Sequence, residues 1–191
     1  MTALNPITIA FIGLFLGLWI EGMAFMGAYP AQEGGAPVAP TLALGGFFLA
    51  GITLLFGGLW LLLSTRTSAA LGLDQIPLLL SGTMFMYGII LFFAGIAQFN
   101  GWDLRPVGQL GIAGTILQLF VTPALVVALA AAGVSTTGLT IALVLLIILI
   151  AGLFLFVNGK LPAKAVGLVA LLTSLACLWV AVGFTGAVGF L

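Results

Sequence analysis

Six times along its 191 residues the chain runs for about 20 residues almost without charge, the length a helix needs to cross the hydrocarbon of a bilayer. The runs extend approximately from Ile7 to Tyr29, Thr41 to Leu63, Pro77 to Ala97, Val107 to Ala131, Leu139 to Val157 and Ala165 to Phe190. Within lipid every backbone polar group must be satisfied by a helix or a closed barrel, and the period-two alternation of barrel strands is absent. The expected fold is an all-α integral membrane protein, one six-helix transmembrane domain over residues 1–191. "MTALNPITIA" lacks the basic stretch of a signal peptide, so the first run is expected to stay in the membrane.

Charge excludes several functions. Only 4% of residues are charged, against about 25% in soluble domains, and they balance to zero. With no basic run, a nucleic-acid partner is not expected. Histidine is absent and the single Cys177 lies in an apolar run, so neither a metal site nor a nucleophile–base pair is expected, and with them no enzyme and no cofactor. Lys and Arg divide as Arg105, Lys160 and Lys164 in the odd-numbered loops against Arg66 in the even ones. The positive-inside rule then puts the odd loops in the cytoplasm and both termini outside.

Those odd loops share a pattern. Pro40, Pro106 and Pro162 are each followed five residues later by a glycine, Gly45, Gly111 and Gly167, and "IEG", "FAG" and "IAG" recur upstream. Proline suits a first helical turn, and a glycine one turn on admits a neighbouring backbone. The six spans are therefore expected to form three helical hairpins, approximately 7–63, 77–131 and 139–190, with Gly45, Gly111 and Gly167 in equivalent close contacts.

Glu21 is the most informative residue. A charged side chain inside a membrane helix costs about 2.5–3.5 kcal/mol on insertion scales, and no Lys or Arg lies within any run to offset it. It needs a polar partner, water or a proton. Counting about 1.5 Å per residue from the ends of the runs brings Thr115 and Thr173 to the depth of Glu21, with Tyr87 and Gln118 slightly further in. One reading is a constriction in which these groups replace the hydration of a neutral polar solute between apolar walls of Phe85, Leu91 and Phe92. The other is ordinary hydrogen bonding, hydroxyls returning to their own helix backbone. Thr122 and Pro123 mark a kink, and Trp19, Trp60 and Trp179 are read as packing or interface residues.

Between the third and fourth runs stands "GWDLRP". Trp102 suits the headgroup level, Arg105 anchors the positive-inside end, Asp103 pairs with it and caps the helix that Pro106 opens. This turn resembles the "G-x-D-x-R-P" signature of the AmiS/UreI family of bacterial urea and short-chain amide channels. "EGMAFMGAYPAQ" with "LALGGFFLAG" resembles that family's first hairpin, and "GKLPAKAVGLVALLTSLACLW" its last. The resemblance implies a passive channel for small uncharged polar solutes in the bacterial inner membrane, assembled as a homo-oligomer, a ring of six. Surplus glycines in "GLFLG", the two "GG" pairs and "GIAG" point the same way. The sequence also departs from the family: the fifth run, "TIALVLLIILIAGLFLF", lacks the pore tryptophans, the family's last-helix glutamate falls at Thr173, its first-helix asparagine falls at Glu21, and the acid-gating histidines are missing, leaving Asp74 alone in the external loops. The alternatives are a proton-coupled transporter of a small carboxylate and a non-transporting membrane assembly subunit.

Overall fold

The structure, a computed structural model, describes residues 6–29, 38–68, 75–131, 133 and 135–184. Residues 185–190 of the sixth run, and Asp74, lie outside the described residues. All the elements are helical: α1 (Pro6–Phe25), α2 (Val38–Ala43), a π-helical segment Leu44–Phe48, α3 (Leu49–Ser68), α4 (Gln75–Asn100), α5 (Arg105–Ala131), α6 (Thr137–Val157) and α7 (Ala163–Phe184). Six helical stretches are long and apolar enough to cross a membrane, α2, the π-helical segment and α3 together making the second. This is the architecture of a multi-pass membrane protein.

Each span packs on its neighbours in sequence, and α7 returns to α1, which closes the bundle. The most extensive packing joins α1 to α7 and α3 to α4, spans that a division into 7–63, 77–131 and 139–190 would separate. Buried positions advance in alternating steps of four and three, as in Val166, Ala170, Thr173, Cys177 and Val180 on α7. That spacing is the coiled-coil seam, which keeps one stripe of each helix on the bundle axis. The opposite faces are just as apolar: Phe120 and Val127 on α5 and Phe56 on α3 are largely exposed on the outer surface, where lipid would cover them.

Glycines set how close the spans come. A Cβ on Gly95 would lie 2.6 Å from the backbone nitrogen of Phe48, one on Gly167 would lie 2.9 Å from the carbonyl oxygen of Gly22, and Gly51 sits directly on the backbone of Phe92. "GLFLG" and "GIAG" are spent in the same way, Gly17 against Gly46 and Ala50, Gly111 and Gly114 against Ile150 and Ile90, so these glycines serve the protomer's own core. The expected equivalence of three glycines is corrected in one respect. Gly111 and Gly167 make close contacts, whereas Gly45 meets only the flexible end of Ile20 at 3.4 Å, and the tight position is Gly46. The shift arises because the second span is not a continuous helix there. Gly46 has φ −93° and ψ −107°, against about −63° and −42° in a regular helix.

A different recurrence does link the three odd loops. Ala28, Trp102 and Lys160 donate their N–H groups to carbonyls five residues back, and the preceding Gly27, Gly101 and Gly159 donate to carbonyls three back. This is the Schellman ending, and at Gly101 (φ 66°) the left-handed conformation it requires stops α4 just before the "WDLRP" turn.

If backbone-to-backbone packing sets the core, Gly95→Ala should destabilise the protein by about 1–3 kcal/mol, an overpacking effect. Gly82→Ala, which meets open space, should be neutral or stabilising by up to about 1 kcal/mol. Thermal unfolding of both variants in detergent checks the contrast.

Candidate functional site

Glu21 lies on the inward stripe of α1, only 1% exposed, opposite the break in the second span. Turning ψ at Gly46 tilts the Gly46–Phe47 peptide plane against α1, while its carbonyl still accepts from the Leu49 N–H. Its carbonyl occupies the space beside Gly17, where a Cβ would collide with it, and its N–H, from Phe47, donates to Glu21 Oε1 at 3.4 Å. Gly17 and Glu21 are one turn apart, so a single face of α1 receives both ends of the tipped peptide. A Cβ on Gly46 would strike the Glu21 carboxyl itself, so a larger residue there must displace the acid from the Phe47 N–H.

The second partner comes from α4. Gln98 Nε2 donates to Glu21 Oε2 at 3.5 Å, while Gln98 Oε1 is buried with no hydrogen-bond partner among the described residues. Both contacts to the carboxyl exceed the usual 2.7–3.2 Å for N–H···O bonds. A carboxylate offers roughly four acceptor positions, so two long donors leave it under-satisfied. The described residues contain one ion pair, Arg105–Asp103, and it lies at the surface.

Behind Phe25 and Phe47 is a cavity of about 40 Å³, large enough for a small molecule the size of water, whose lining includes neither Glu21 nor Gln98. Phe25, one turn from Glu21, and Phe47 line it with Leu91, Gly111, Ile150 and Phe156. Its walls are apolar. Further into the bundle Leu14, Leu18 and Leu146 are no more than 1% exposed, so the middle of the protein is closed.

All five polar residues expected along the pathway face the interior or carry buried polar atoms, but they do not form one layer. Gln118 Nε2 points to Met86 Sδ at 3.8 Å and its Oε1 accepts from Thr122 at 2.9 Å, which places it level with Tyr87, one residue from Met86. From there to Gln98 is 11 residues of α4, about 16 Å. Glu21 therefore belongs to one level and Tyr87 and Gln118 to another. The ruler failed because α1 ends at Phe25 rather than Tyr29 and α4 continues to Asn100 rather than stopping at Ala97. Thr173 returns its hydroxyl to the Val169 carbonyl at 2.7 Å, the ordinary reading. The hydroxyls of Tyr87 and Thr115 are buried without a partner among the described residues.

The walls also differ from expectation. Leu91 faces the cavity, but Phe92 packs on Phe48, ring centroids 4.9 Å apart, on the side of α4 that meets the second span. Phe85 lies near Gly58 of α3. Pro123 is held within α5, and Trp19, Trp60 and Trp179 are exposed on the outer surface. Two participants were missed by sequence reasoning. Gln98 fell in a run assigned to a loop, and the Phe47 N–H is a backbone group that only the break presents; the signal for both was an unpaired acid near a "GG".

The "GWDLRP" turn stands apart. Asp103 accepts from the Arg105 backbone N–H at 2.9 Å and from its guanidinium at 2.6–3.1 Å, with both side chains more than half exposed. Trp102 and Pro106 are exposed beside it. This is a local hydrogen-bonded cap on α5. No protein-family model, curated protein or solved structure matches the chain.

The side-chain hydrogen bond from Arg105, then the backbone one, hold the Asp103 carboxyl below its ordinary value. A depressed carboxylate contributes above its unfolded value, about 3.9, and loses that contribution as pH falls through its folded one. The turn should therefore be unchanged between about pH 5 and 8. Carbon-13 titration of the aspartate carboxyls should place Asp103 below the ordinary range, and Arg105→Ala should bring it back while leaving Glu21 and any solute flux unaltered.

Proposed function

We propose that this protein is a passive membrane channel for small uncharged polar solutes, urea or short-chain amides among them. The observation that carries the proposal is the enclosed Glu21 carboxyl: under-satisfied, held by a backbone N–H and an amide, and separated by Phe25 and Phe47 from a cavity of about 40 Å³. A buried ionisable group inside a membrane bundle marks a solute or ion pathway by default. An amide solute brings N–H donors for Glu21 and for the unpartnered Gln98 Oε1, and a carbonyl that can accept from the Gln98 amide. The resemblance of "GWDLRP" to the AmiS/UreI signature supports the same reading, with the bacterial inner membrane, external termini, three related hairpins and a homo-oligomer, a hexamer by that resemblance, as its accompanying proposals. The unpartnered hydroxyls of Tyr87 and Thr115 are proposed as later contacts along the route, with Gln118; Thr173, already bonded to its own helix, contributes shape.

A second reading, a proton-coupled transporter of a small carboxylate, is favoured by one observation. The apolar packing of Leu14, Leu18 and Leu146 closes the middle of the bundle, as it would in a protein that opens to one side at a time.

The two separate on Glu21. In proteoliposomes swollen by urea or acetamide without a proton gradient, Glu21→Gln should keep much of the flux, because an amide of the same shape preserves hydrogen bonding, and Glu21→Leu should abolish it. A carrier gives the reverse for the glutamine variant, which cannot release a proton, and wild-type flux in the leucine variant would remove Glu21 from the pathway.

A further inference from the structure

The second span breaks where it touches Glu21, with the non-helical residue Gly46 set against the carboxyl. The segment Leu44–Phe48 holds no proline; its Gly45–Gly46 pair permits the break. A π-helical insertion costs hydrogen-bond quality and is found mainly at functional sites. What holds it is external: the tipped peptide is received by Gly17 and Glu21 of α1, and Leu49 closes the break by donating its N–H to the Gly46 carbonyl.

We propose that Leu44–Phe48 is a two-state latch, kept in its π-helical form by acceptance of the Phe47 N–H at Glu21, and that loss of this acceptor lets the second span close into a continuous α-helix. Removing one extra residue from a helix turns everything before it by about 100°. The part that turns is α2 together with Leu44 and Gly45, a short stub, whereas α3 is clamped by Gly51 and Gly88 against α4. Ala43 is now fully buried, and its neighbours Leu42 and Leu44 lie further out, Leu44 at 49% exposure. Rotation in either sense carries a leucine to the place of Ala43. Phe47, at the pivot, is also a wall of the cavity, so the change at Gly46 reshapes it. Both forms satisfy their backbone, the π form through Glu21 and the α form through the helix itself, which is the requirement for switching within lipid.

The natural competitor for the carboxyl is the solute, a clause that rests on the function proposed above. A solute N–H that draws Glu21 away from the Phe47 N–H lengthens a contact already at 3.4 Å and releases the latch. Binding at the site and rearrangement of the second span then become one event.

The test is a spin-label scan of residues 41–49, one cysteine at a time in a Cys177→Ser background, reading oxygen accessibility in proteoliposomes. In the otherwise native protein the helical period should break at Gly46, with the label at 44 accessible to lipid and that at 43 not. Glu21→Gln, which retains an oxygen acceptor, should keep the break. Glu21→Ala removes the acceptor, and Gly46→Ala displaces it with a methyl group set against the carboxyl; each should restore an unbroken period and shift the accessible position by one residue. A break that persists in whichever of these two variants folds overturns the latch. Adding acetamide to the native labelled protein should move residue 44 in the same direction and saturate. A flat response, with the variants behaving as expected, overturns the coupling to solute and leaves the latch standing, so failure of the proposed function and failure of the latch are read separately.

Discussion

A backbone N–H turned out of its helix within a bilayer must find an acceptor inside the protein, and at Phe47 that acceptor is Glu21. Much of the turn-bearing end of the bundle depends on this one contact. Glycine at 46 leaves the carboxyl the space a Cβ would take, Gly17 must be small because the Gly46 carbonyl lies against it, and Gln98 extends inward from the last turn of α4 to give the carboxyl a second donor. The acid and the helix break explain each other: either alone would leave an unpaired polar group in an apolar core, at a cost of a few kcal/mol.

Around this contact the protein is assembled by backbone proximity rather than by any difference between inside and outside hydrophobicity. Lipid is as apolar as leucine, so burial of leucine does not by itself draw two spans together. Close approach does, and the glycines at 51, 88, 95, 111 and 167 provide it. The second span is consequently trapped between α1 and α4 along most of its length. The stub preceding Gly46 packs on α4 and makes little contact with α1.

Parts of this were legible beforehand. Six apolar runs gave six helices, and the Asp103–Arg105 pair formed as a local turn because its partners are two residues apart and need no tertiary information. Glu21 could be singled out because an acid without a cation inside a span is anomalous wherever it points. Its neighbours could not. Gln98 stood in a stretch whose polar residues, Gln, Asn and Asp, resemble a loop, yet the helix continues through it to Asn100 because the Schellman ending is set at Gly101. Depth estimates for Thr115, Thr173, Tyr87 and Gln118 carried errors of two or three residues at helix ends and that for Glu21 an opposite error of four, enough to merge two levels into one.

The sequence alone determined that the chain is helical, that it carries six apolar stretches of spanning length and that one acid lies within them, because length, hydrophobicity and the cost of unpaired charge are local properties. Tertiary structure decided which stripe of each helix faces the axis, since both faces are apolar and only contact between spans distinguishes them. It also decided that α1 closes the ring on α7, that the second span is broken at Gly46, and that a main-chain N–H completes the site. A backbone group has the same chemistry at every position in the sequence; it becomes a ligand only where a neighbouring helix turns it out and offers it an acceptor.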